Sequence, residues 1–135
     1  MPGRSRVYNV DHLTVSVSDF ERSKRFYGAL FRFLGMKVMG EYEDAIGWRN
    51  GSSRFWIVQA SAKGRRRKHR IGEVGYHHCA FALRSRKDVD ELQAFLKKTG
   101  ARIVDPAGEY YENYYAVYFL DPDGLKLEGM RYGRK

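Results

Sequence analysis

His12, His78 and Glu128 are the residues whose types and placement could do chemistry together. His12 alternates with Leu13, Val15 and Val17, and shares its parity with Thr14 and Ser16. His78 stands in the same relation to Cys79, Phe81 and Leu83. Glu128 shares its parity with Lys126 and Met130, against Leu125 and Leu127. Period-two geometry sends the two sets of each strand to opposite faces. The apolar sets belong against helices, which leaves both imidazoles and the carboxylate on helix-free, concave faces. Two imidazoles and one carboxylate suit one divalent ion of the Zn, Ni, Mn, Fe or Co type, with positions left for water or substrate. Singly, each of these residues reads as an ordinary polar group, and it is their matched parity that argues for a metal.

The elements that position them occur twice. DHLTVSVSDFERSKRFYGALFRFLG and HHCAFALRSRKDVDELQAFLKKTG each put a histidine at the head of an alternating strand, then a helix, then a glycine. Gly35 follows His12 by 23 residues and Gly100 follows His78 by 22, so the copies run nearly in register. The parity rule matches His78, not His77, to His12. Residues 8–17 read as the first strand. Ser18 with Glu21 predicts a capping box, and Phe26, Tyr27, Leu30 and Leu34 form a helical stripe. Residues 36–40, 45–49 and 54–60 read as strands, with residues 50–53 as a loop longer than a tight hairpin. The second copy reads as strand 76–83, a helix capped by Ser85 and Asp88, and strands 101–104, 114–120 and 125–131. Asp121-Pro122-Asp123-Gly124 is its last turn. The fold class is α+β: two β-α-β-β-β modules, about residues 7–62 and 74–132, in a single domain over residues 1–135.

Composition bounds the setting. The chain has 135 residues, 43% of them hydrophobic, which is enough for one core. Its single cysteine, Cys79, permits no internal disulfide and points to a reducing, cytoplasmic setting. No leader-like or membrane-spanning apolar run is present, so no membrane partner is expected. The net charge of +9 gathers partly in KGRRRKHR, Lys63 to Arg70, within a linker of about residues 63–73. That run reads as a solvated loop. No aromatic interleaving or nucleic-acid motif accompanies it, so nucleic acid is not an expected partner.

The pieces DHLTVSVSDFERSKRFY, HHCAFAL and DPDGLKLE resemble the vicinal oxygen chelate superfamily, which includes glyoxalase I, fosfomycin-resistance enzymes, bleomycin-binding proteins and extradiol dioxygenases. The resemblance spans about residues 7–132 and implies a glyoxalase-like fold with a cleft between the modules. It also implies metal-ligand roles for His12, His78 and Glu128, in agreement with their parity. A fourth ligand, commonly Glu in glyoxalase I, falls at Gln59, which is then a weak ligand or a hydrogen-bond donor. Chains of this length in the family usually dimerise, so a homodimer is implied, with the site often assembled across it. Open sheet edges point the same way.

The function so implied is a metal-dependent isomerase or lyase of the glyoxalase type, similar to lactoylglutathione lyase. Its substrate would be small, oxygen-chelating and, given the basic chain, anionic. Glu128 would be ligand and base. A non-catalytic antibiotic-binding (bleomycin-resistance) role is the alternative from another class. Against it stand the complete ligand set and the positive charge. An extradiol dioxygenase is weaker still, because Glu109, Tyr110 and Tyr111 occupy the window where that group carries a further histidine. Trp48, Tyr110, Tyr111, Tyr114, Tyr115 and Arg131 are candidate substrate contacts.

Overall fold

A computed structural model describes residues 3–135. The chain forms two compact units that divide between Arg66 and Arg67. The first contains β1 (Leu13–Val17), α1 (Phe20–Leu34), β2 (Lys37–Glu41), β3 (Ala45–Asn50) and β4 (Ser53–Gln59). After a 3-10 turn at Gly64–Arg66, the second contains β5 (His78–Ala82), α2 (Arg86–Thr99), β6 (Arg102–Tyr111), β7 (Tyr114–Leu120) and β8 (Lys126–Tyr132). The sheet orders are β1-β4-β3-β2 and β5-β8-β7-β6, so the two units share one topology. In each, the first strand pairs parallel with the last and the remaining pairs are antiparallel.

Each core lies between one helix and one face of its sheet. Under α1, Tyr27, Leu30 and Phe31 meet Val15, Val17, Ile46, Trp48, Phe55 and Ile57, all buried. The rings of Tyr27 and Phe55 lie 5.2 Å apart and those of Phe31 and Trp48 5.0 Å apart. Under α2, Val89, Leu92 and Leu96 meet Val117, Phe119 and Leu127. Full burial of one such side chain contributes about 1.5–3 kcal/mol, so these two seams orient each helix on its sheet.

The helix ends follow local chemistry, with one correction. The N-cap of α1 is Asp19, whose carboxylate accepts from the Arg22 N–H at 3.1 Å, and not Ser18. Ser18 Oγ instead accepts from the Arg22 guanidinium. Ser85 caps α2 as predicted, accepting from the Asp88 N–H at 3.0 Å. Gly35 and Gly100 end the helices at φ of 84° and 78°, a region costly for other residues. β1 is shorter than predicted, and residues 3–12 precede it. The β3–β4 turn is also tighter than predicted. Asn50 pairs with Ser53 across two residues, and Gly51 takes the positive φ that such a hairpin demands.

Candidate metal centre

β5, β7 and β8 bring part of the site together in the second unit. Ala80 pairs with Glu128 and Tyr118 with Glu128, which fixes His78, Tyr118, Lys126 and Glu128 on the face away from α2. Leu127 and Gly129 occupy the helix side, where a Cβ on Gly129 would fall 2.4 Å from Leu92 Cδ2. Glu128 is only 1% exposed. Its Oε2 lies 3.2 Å from His78 Nε2, and its Oε1 accepts a short hydrogen bond from the Tyr114 hydroxyl.

A carboxylate buried among phenols raises the cost of ionising them. Tyr114 is pushed well above the ordinary phenol range, first by burial and then by its hydrogen bond to Glu128. Tyr118 is pushed up to about 12 by burial, the Glu128 charge and a hydrogen bond to it. Both therefore stay protonated and serve as donors at neutral pH. Lys126 Nζ stands 4.7 Å from the Tyr118 ring centroid, and Tyr110 packs edge-on to Tyr118 at 5.4 Å. The helix-free face thus presents an imidazole, a carboxylate, the phenols of Tyr110, Tyr114 and Tyr118, and an ammonium.

The two histidines share a local arrangement. His78 Nδ1 lies 2.7 Å from His77 Nδ1, so one of these atoms carries the proton between them. His12, in the first unit, has Nδ1 2.8 Å from Asp11 Oδ2. In each case Nδ1 is engaged by the preceding residue and Nε2 is the atom left for another partner. Nε2 of His78 is the atom that meets Glu128.

These residues fit a divalent ion. Imidazole nitrogen and carboxylate oxygen are suitable donors, and two such atoms bound to one ion at about 2.1 Å each would stand about 3 Å apart. The His78–Glu128 separation is of that size. Among the described residues, no three histidine, cysteine or carboxylate side chains converge as a ready cage. The structure joins His78 to Glu128, and it joins His12 to Asp11.

Three expected site residues lie elsewhere. Gln59 pairs with Val17 on the α1 side of its sheet. Its Oε1 accepts from the Phe20 N–H at 3.0 Å, and its Nε2 donates to the carbonyls of Ser18 at 2.9 Å and of Val17 and Ala60 at 3.3 Å. It ties the start of α1 to β4 and does not face the side of His12. The position in register with Glu128 is Trp56, since Thr14 pairs with Trp56 as Ala80 pairs with Glu128. Trp48 is 2% exposed beneath α1, at the base of a groove between α1 and β2. Arg131 pairs with Tyr115 on the α2 side, where the Tyr115 hydroxyl reaches Asp90. Tyr110 and Tyr114, by contrast, lie on Glu128's face, whereas Tyr111 is largely exposed and stacks edge-on against Tyr114.

Asp11, Arg54, His77, Tyr118 and Lys126 were not among the expected site residues. Their signals were present but slight. Tyr118 and Lys126 share the parity of Glu128's face in their strands, and Asp11 and His77 each precede a motif histidine. The contacts themselves need the register.

The comparisons agree with this architecture. The profile of the Glyoxalase/Bleomycin resistance protein/Dioxygenase superfamily matches residues 9–128. The uncharacterized protein YqjT of Bacillus subtilis is 31% identical over 87% of this chain and 94% of its own length. The metallothiol transferase FosB of Staphylococcus epidermidis is 27% identical over 90% of this chain and 82% of its own. A glyoxylase/bleomycin resistance protein/dioxygenase domain from Frankia superposes with a TM-score of 0.75 at 25% identity, covering 95% of this chain and 99% of that one.

Proposed function

Because the chain belongs to the Glyoxalase/Bleomycin resistance protein/Dioxygenase superfamily, we propose that it is a metal-dependent enzyme acting on a small, oxygen-rich anion. Within that class we infer transfer of a thiol to an electrophile rather than glyoxalase-type isomerisation. The observation that carries this choice is the single carboxylate. Glu128 lies on its sheet's helix-free face, while the register-equivalent position in the first unit is Trp56 and Gln59 is tied to backbone. Isomerisation by proton relay calls for a second proton carrier, whereas adding a thiol to an electrophile needs oxygen polarisation and an anion anchor. The FosB relatives, named metallothiol transferases, support the same choice.

In this reading His12, His78 and Glu128 hold one divalent ion, which when bound supplies Lewis-acid polarisation of substrate oxygens. The chain's own residues do the rest. Tyr114 holds Glu128 in place through Oε1. Tyr118, protonated at neutral pH, donates a hydrogen bond on the same face. Lys126 supplies the positive charge that selects an anionic group. The reaction balances without an oxidant. With an epoxide acceptor, a carbon–sulfur bond forms as a ring carbon–oxygen bond breaks, and the thiol proton ends on the released oxygen.

The test compares two assays on metal-loaded protein. One follows loss of thiol with L-cysteine or glutathione and an epoxide phosphonate, and the other follows isomerisation of a glutathione hemithioacetal. The reading predicts measurable thiol addition that falls at least tenfold in Lys126→Met through KM. Robust isomerisation with no thiol addition would overturn it.

A further inference from the structure

Asp11 sits immediately before His12 and outside β1. Its two carboxylate oxygens have different partners. Oδ2 lies 2.8 Å from His12 Nδ1, and Oδ1 accepts from Arg54 Nη1 at 3.0 Å. Arg54 belongs to β4, the strand beside β1, where Leu13 pairs with Phe55. A strand of the sheet thus braces the carboxylate, and the carboxylate braces the ring. The Asp11 side chain is 70% exposed and that of His12 is 52% exposed.

An ionised carboxylate can only accept hydrogen bonds. The Asp11–His12 contact therefore requires the imidazole proton on Nδ1. In the neutral ring, Nε2 then carries the lone pair and no hydrogen. Arg54 Nη1, 3.0 Å from Oδ1, pairs the carboxylate as an anion and leaves Oδ2 to accept from the ring.

We propose that Asp11, braced by Arg54, is a positioning residue that locks His12 in the tautomer and orientation in which Nε2 is available to a divalent ion. The proposal rests on the reading of His12 as a metal ligand given above, and adds the outer partner that makes it one. Such partners fix ring orientation and raise ligand basicity, and their loss lowers metal affinity by about 10–100-fold. The same chemistry explains why a solvent-exposed Asp–His pair is held by an arginine from the neighbouring strand.

Two readouts test it, one of them without metal. Long-range 1H–15N spectra of the metal-free protein report which nitrogen of His12 carries the proton in the neutral ring. Wild type should show the Nδ1–H form, and Asp11→Ala should move the proton toward Nε2. Competition with a chromophoric chelator then measures Zn2+ affinity. Asp11→Ala should weaken it at least tenfold, and Asp11→Asn, whose amide oxygen can still accept from Nδ1–H, should recover much of the loss. Because Asp11 is exposed, the thermal midpoint of the metal-free protein should stay unchanged. An unaltered tautomer and affinity in Asp11→Ala would overturn the proposal while leaving the metal reading intact. Equal losses in Asp11→Asn and Asp11→Ala would overturn it in favour of Asp11 as a ligand. His12→Ala binding Zn2+ as tightly as wild type would sink the metal reading itself, and the role of Asp11 with it.

Discussion

The amide of Gln59 joins the start of α1 to the end of β4, with its oxygen on the Phe20 N–H and its nitrogen shared among three carbonyls. A glutamate there would set a negative oxygen against the carbonyls of Val17, Ser18 and Ala60. Gln59→Glu should therefore lower stability by about 1–3 kcal/mol, read as a shift in the urea midpoint, with metal affinity unchanged. Tighter metal binding at unaltered stability would instead place Gln59 in the site. Its true face was legible, because it alternates in step with Phe55 and Ile57. The family pattern drew it to the other face. Glu128 was legible by the same rule, since Leu125 and Leu127 fix the helix side and leave Lys126 and Glu128 opposite. Trp48 was open to the same test through Ile46, its partner in parity, and both are buried under α1. The contacts of Tyr114 and Tyr118 with Glu128 were not legible, because they depend on the β7–β8 register.

At the scale of elements, glycine stops and helical stripes carried most of the information. Gly35 and Gly100 end the helices where the sequence placed them. The start of α1 was one residue off because Ser18 and Asp19 are both good caps, and the choice between them turned on a guanidinium contact to Ser18. β6 runs from Arg102 to Tyr111, well past the predicted residue 104. Pro106 and Gly108 lie within it, residue types that ordinarily interrupt a strand. The strand accommodates them through shifts in register between Asp105 and Gly108 and again near its end. Helix seating also bears on the site through Gly129, the residue after Glu128. A Cβ there would meet Leu92 Cδ2 at 2.4 Å, Leu83 Cδ1 at 3.4 Å and Val117 Cγ1 at 3.8 Å. Leu92 is fully buried, so it has little room to give. Gly129→Ala should cost about 1–3 kcal/mol by overpacking and should weaken metal binding by displacing Glu128. Calorimetry showing an unchanged midpoint would mean that α2 shifts freely on the sheet.

At the scale of the whole molecule, the duplicated pattern of the sequence became two units of one topology. The duplication was legible because strand parity, helix length and terminal glycine all recur together. The basic run from Lys63 to Arg70 lies around the division between the units, and its arginines are exposed. Arg70 reaches Glu73 only at 4.0 Å, a separation at which an exposed pair contributes little. Among the described residues no helix is long and apolar enough to cross a membrane.

The central claim is the proposal that His12, His78 and Glu128 are the ligands of a divalent metal ion. Metal content per chain, measured after loading with Zn2+ and exhaustive dialysis, tests this most directly across wild type, His12→Ala, His78→Ala and Glu128→Gln. The account predicts one ion per chain in wild type and a sharp loss in each of the three variants, while all four retain their folded circular-dichroism spectra. Full occupancy in folded His78→Ala, or none in wild type, would contradict it.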